Sequence, residues 1–115
     1  MKAVGLLACT VTLLAACGSE TEPPPTTSPD AVTVSTGDTP PPRFIPQVAT
    51  VAVGGTVTFR NGSPFAAHDV KSGTNLWPLR SLQPDESFDV TFTEAGQYQY
   101  ECTLHPGMIG VIAVQ

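Results

Sequence analysis

From Ser87 the chain reads Ser87-Phe-Asp-Val-Thr-Phe-Thr-Glu-Ala-Gly-Gln-Tyr-Gln-Tyr-Glu-Cys102-Thr-Leu-His105-Pro-Gly-Met108-Ile-Gly-Val-Ile-Ala-Val114. Phe88, Val90 and Phe92 alternate with Ser87, Asp89 and Thr91, a period of two that puts one face of a strand inside and the other in water. Ala95 and Gly96 supply a turn. Tyr98, Tyr100 and Cys102 then share one parity of a second strand, and Met108 to Val114 supplies a third.

The same pattern continues upstream in shorter pieces. Ala31 to Ser35 alternates apolar and polar residues, Pro40 to Pro42 and Pro46 interrupt, and Val48 to Val53 and Thr56 to Arg60 flank the Gly54-Gly55 turn. A short strand runs from about Ala67 through Val70. Lys71 to Leu82 carries Gly73 and Pro78 and shows no period, so it reads as irregular. About seven to eight short strands, with no helical stripe, predict an all-β, two-sheet sandwich.

Length and charge bound the function. The 115 residues hold one small domain, and ten acidic against five basic side chains give a net charge of −5, which disfavours a nucleic-acid partner. Only 13% of residues are charged and 41% are hydrophobic, so the chain is not a disordered polyampholyte.

The first residues have a separate purpose. Lys2 precedes a small, apolar run from Ala3 to Ala16, broken only by Thr10 and Thr12, and too short to span a bilayer. Residues 1–16 are therefore expected to be an export signal. Leu14-Ala15-Ala16-Cys17 resembles the lipobox of bacterial lipoproteins, in which Cys17 would be lipidated; conventional secretory cleavage nearby is the alternative. Residues 17–30, rich in Pro, Thr and Ser, would be an extended tether to a membrane anchor, and 31–115 the folded domain. The expected location is the extracytoplasmic face of the membrane or the periplasm. Cys9 lies inside the signal, so a mature chain lipidated at Cys17 keeps one free thiol, Cys102, and no disulfide within the domain.

Cys102, His105 and Met108 stand three residues apart, at a strand end, in a Pro-Gly turn and at the next strand's start. A thiolate, an imidazole and a thioether are the donors that suit copper. The chain has one other histidine, His68, and strands distant in sequence adjoin in a sandwich, so the candidate set is His68, Cys102, His105 and Met108. Zinc would also accept one Cys and two His, but a thioether is a poor fourth ligand for it. Asp69 is available as a carboxylate ligand for zinc, yet neighbours on a strand point to opposite faces, which gives Asp69 a supporting role in hydrogen bonding.

With these residues in place, the chain resembles a cupredoxin, a blue copper protein of the plastocyanin and amicyanin group. The resemblance covers about Val48 to Val114. It is densest from Phe92, where Phe92-Thr-Glu-Ala-Gly96, Tyr98, Tyr100, Cys102, Thr103, His105, Pro106 and Met108 follow the amicyanin spacing. It implies a Greek-key sandwich with one type 1 copper near one end, held by His68, Cys102, His105 and Met108. His105 would then sit in an apolar patch rimmed by Leu104, Pro106, Gly107, Pro64 and Phe65.

Three residues depart from the family pattern. Asp69 stands where asparagine is usual, and an ionised carboxylate cannot donate, so the tie from the His strand to the Cys loop is expected to be lost or reversed. Leu104 replaces a proline common before the histidine. Glu101 replaces the tyrosine that plastocyanins associate with a second electron route. The interval from His68 to Cys102 also looks short, implying a trimmed hairpin around Lys71 to Leu82.

The resemblance implies a monomeric one-electron carrier, not an enzyme, working between redox proteins such as a cytochrome, an oxidase or a photosynthetic complex. Copper trafficking or sensing is the alternative function, and a metal-free adhesive sandwich a third.

Overall fold

The computed structural model describes residues 27–115; the expected export signal, Cys9, the lipidation site at Cys17 and the first part of the tether lie outside the described residues. Nine strands follow in order: β1 Ala31–Gly37, β2 Arg43–Ile45, β3 Val48–Val51, β4 Thr56–Arg60, β5 His68–Ser72, β6 Arg80–Leu82, β7 Ser87–Thr91, β8 Gly96–Glu101 and β9 Ile109–Val114. They form two sheets, ordered β2-β1-β4-β7 and β3-β9-β8-β5-β6. This is the expected all-β sandwich. Most pairings are antiparallel, but β1 runs parallel to β4 and β3 parallel to β9.

Two strands escape the period-two reading. β2 and β6 have three residues each, too few to show alternation; Pro42 and Pro46 flank β2 directly, and Pro78 and Pro84 stand one residue off either end of β6. The stretch Lys71 to Leu82, read as irregular, in fact completes β5 and forms β6, which pairs with the start of β5 through His68–Leu82 and Val70–Arg80. Between them Trp77 turns inward and its indole N–H donates to the carbonyl of Val70 at 3.3 Å. A buried aromatic thus gives this stretch the order its periodicity lacks.

The alternating faces become the core. Val57 and Phe59 on β4, Phe88 on β7, Tyr100 on β8 and Ile112 on β9 all point between the sheets. Phe59 is central: its ring lies 5.0 Å from Tyr100, 5.3 Å from Phe88 and 5.5 Å from Trp77, centroid to centroid. Such pairs contribute about 0.5–1.5 kcal/mol each beyond the area they bury.

β8 and β9 can close on this core only because Gly110 faces Tyr100 in the pairing. A Cβ at Gly110 would stand 2.3 Å from the Tyr100 ring. The missing side chain at Gly110 is the space that the phenol fills, and this registers β8 against β9 at the end of the sandwich where β8 runs on into Cys102.

Candidate metal centre

The inward parity of β8 delivers Cys102 as the first residue beyond the strand, still facing the core and buried. The chain then turns. Gly107 takes φ of +88°, a left-handed conformation that costs glycine little. Met108 N–H donates to the His105 carbonyl at 3.0 Å, and Cys102 N–H to the Met108 carbonyl at 2.9 Å. These two bonds close the loop into a short arch with His105 at its bend.

β5 lies next to β8, paired through Lys71–Glu101 and Ser72–Tyr100, so its first residue, His68, comes up beside the arch. The separation of 34 residues between His68 and Cys102 closes into direct contact. His68 Nδ1 is 3.8 Å and His105 Nδ1 3.6 Å from Cys102 Sγ, and the two imidazole rings are 4.7 Å apart. One donor atom from each of the three residues lies within 4.8 Å of the others, close enough to share a single metal ion. His68 and Cys102 are buried and His105 is half-buried; Met108 is buried in the same arch.

Burial pushes the Cys102 thiol up, while the backbone N–H groups of Asp69 and Leu104 pull it the other way. The Asp69 N–H lies 3.4 Å from Sγ. A buried thiol with donors aimed at its sulfur is suited to become a thiolate when a cation joins it.

The carboxylates beside the cluster are committed elsewhere. Asp69 accepts the backbone N–H of Thr103 at 2.6 Å on Oδ1 and the Thr103 hydroxyl on Oδ2. The tie between the His strand and the Cys loop is therefore reversed, not lost: Asp69 accepts and Thr103 donates. Asp38 lies on the far side of His68, with Oδ1 3.1 Å from Nε2. Its carboxyl is held below the ordinary carboxylate range, first by the Ser63 hydroxyl and then by His68, against a burial effect that raises it. Neither carboxylate belongs to the cluster of metal donors. One thiolate and two imidazoles with a neighbouring thioether fit copper better than they fit zinc, which favours a harder fourth ligand.

Two supporting residues were not visible in the sequence. Asn61 follows β4 directly, at the start of the turn, and is fully buried; its amide donates to the carbonyls of Ala66 and Leu82, and its oxygen accepts from the Thr36 hydroxyl and the Ser63 N–H. All four bonds are satisfied, and they fix the turn that leads into His68. Asn61-Gly62-Ser63 reads only as turn chemistry in sequence. Asp38 lies 30 residues before His68, after β1 of the opposite sheet, and no spacing rule connects them. The one available signal is general: a metal-ligating histidine bonds its second nitrogen to something.

Comparison with known proteins agrees with this geometry. Amicyanin from Paracoccus denitrificans is 36% identical over 64 residues, covering 52% of this chain and 49% of that protein, so the match spans about half the length of that relative. The structure of amicyanin from Paracoccus versutus superposes with a TM-score of 0.62 at 32% identity, covering 75% of this chain and 82% of that one. A purple cupredoxin from Nitrosopumilus maritimus, at 24% identity and a TM-score of 0.62, shares the fold over 73% of this chain and 99% of its own. Residues 29–115 match the family of copper binding proteins of the plastocyanin/azurin type, and the chain belongs to that family.

Proposed function

We propose that this protein is a one-electron carrier with a single type 1 copper site held by His68 and His105 through Nδ1, by the Cys102 thiolate and by Met108. The observation that carries the reading is the convergence of one donor atom each from His68, Cys102 and His105 within 4.8 Å, with Nδ1 of both imidazoles turned to Sγ at 3.8 and 3.6 Å, delivered by two segments far apart in sequence. Bound copper supplies the Cu(I)/Cu(II) couple. The protein's part is to hold the donors still: β5 and β8 are paired, the arch is closed by its own backbone bonds, and Asp69 ties one to the other. Donors fixed in this way reorganise little when charge changes.

Electrons enter and leave through His105, the half-buried imidazole. Beside it in the arch Leu104 is 53% exposed, with Pro106 and Gly107 exposed as well, and in the loop that leads into His68 Phe65 is 80% exposed and Pro64 is exposed. An apolar rim with few charges supports brief docking of redox proteins such as a cytochrome, an oxidase or a photosynthetic complex, where turnover needs release more than affinity. Glu101 is exposed and has no aromatic ring to relay an electron, so the second route of plastocyanins is not assigned to this protein.

In this reading residues 1–16 direct export, Cys17 carries the lipid, residues 17–30 form the tether, and a monomeric domain of residues 31–115 works at the extracytoplasmic face of the membrane or in the periplasm. Two or more acyl chains hold a soluble domain stably where one does not. Mass spectrometry of the protein from its native membrane checks this with a diacylated or triacylated Cys17; an unmodified mature N-terminus contradicts it.

Repeated reduction and reoxidation tests the function. A carrier cycles between coloured and colourless forms with copper retained. Release of copper at each reduction would assign the protein to copper delivery instead.

A further inference from the structure

His68 has a second ring nitrogen, and its surroundings are unusual for a buried strand residue. The imidazole is completely buried, yet Nε2 meets a carboxylate, Asp38 Oδ1, at 3.1 Å. Asp38 comes from the segment after β1, on the opposite sheet, and its side chain is 26% exposed. Its second oxygen, Oδ2, is buried and has no partner of normal hydrogen-bond geometry. An ionised carboxylate accepts and cannot donate, so the proton of this contact belongs to Nε2. A neutral imidazole with its proton on Nε2 has a bare lone pair on Nδ1, the atom that faces Cys102 Sγ.

We propose that Asp38 is a positioning residue for the copper site: by accepting Nε2–H it holds His68 in the tautomer and orientation that present Nδ1, and its charge makes that nitrogen a stronger donor to Cu(II). The inference rests on the copper reading of the cluster and extends it to a residue outside the donor set. Its physical basis is the polarisation of a ligating imidazole by a carboxylate on its far nitrogen, an interaction whose removal costs about 10–100-fold in metal affinity. Burial of the ring matters here. An exposed pair of this kind would be screened by water, whereas the contact with His68 runs into the protein interior.

Asp38→Asn and Asp38→Ala separate orientation from charge. Asparagine keeps an acceptor for Nε2–H and loses the charge; alanine loses both. Nitrogen-15 NMR of the metal-free protein at pH 8 should show the Nε2–H tautomer of His68 in the wild type and in Asp38→Asn, and a mixture of tautomers in Asp38→Ala. In voltammetry of the copper forms, both variants should favour Cu(I) about tenfold more than the wild type, a rise of about 59 mV for one electron. A blue wild type whose two variants keep its tautomer and its potential overturns the assignment of Asp38 alone. A wild type that forms no blue copper complex overturns the copper reading, and this inference with it.

Discussion

Asp69 and Thr103 bond across the gap where β5 and β8 have stopped pairing. The last ladder pair is Lys71–Glu101, and the same register continued two steps sets Asp69 opposite Thr103. Side chain replaces backbone there: both donors of Thr103 end on the Asp69 carboxylate, next to His68 on one strand and Cys102 on the other. The candidate metal donors sit beside this side-chain clamp, not at the loose end of a ladder.

Replacing Asp69 by alanine should cost about 1.5–3 kcal/mol, the range for hydrogen bonds to a charged group. Asp69→Asn keeps one acceptor and removes the charge, so it should be milder in stability and should raise the reduction potential. Denaturant melts and voltammetry of the two variants check both parts; an Asn variant with an unchanged potential would show that this charge does not reach the metal.

Asn61→Ala should be among the most damaging single substitutions outside the donor set, at about 3–4 kcal/mol, because it strands partners on four sides in a buried turn. The loop that leads into His68 should loosen first. Urea unfolding gives the stability, and hydrogen exchange at Ala66 and Ala67 reports the loop.

Gly110→Ala places a methyl group 2.3 Å from the Tyr100 ring. Overpacking of this kind costs about 1–3 kcal/mol or more. Combining it with Tyr100→Val should recover part of that loss, since the clash partner is gone. Strictly additive effects in a double-mutant cycle would mean that the two residues do not compete for the same space.

Burial pushes the Tyr100 phenol far above the ordinary tyrosine range. Its ionised form is favoured by unfolding, so the folded state is unaffected below about pH 10, the unfolded value, and loses stability as pH rises beyond it. The hydroxyl also has no hydrogen-bond partner. Tyr100→Phe should therefore be as stable as the wild type or up to about 1 kcal/mol more stable at pH 7, with a larger advantage at pH 11. Melts at the two pH values test the sign; an advantage that shrinks with pH contradicts it.

Residues 87–114 were legible because two physical periods coincide there: the two-residue alternation of Phe88, Val90, Phe92, Tyr98 and Tyr100, and the three-residue spacing of Cys102, His105 and Met108. His68 was legible by scarcity, as the other of two histidines. β2 and β6 were not, since three residues carry no pattern and Trp77 orders its stretch through a hydrogen bond to Val70 and a ring contact with Phe59 of the opposite sheet. Asp38 was hidden for a similar reason. Its partner is set by how two sheets stack, and nothing local to Gly37-Asp38-Thr39 encodes that.

Titration of the metal-free protein with Cu(II), followed by visible absorption for the wild type and for Cys102→Ala, tests the copper assignment most directly. One equivalent of copper should produce an intense band and a blue protein in the wild type, and no such band in the variant. A Cys102→Ala protein that takes up copper with the same affinity and the same spectrum would contradict it.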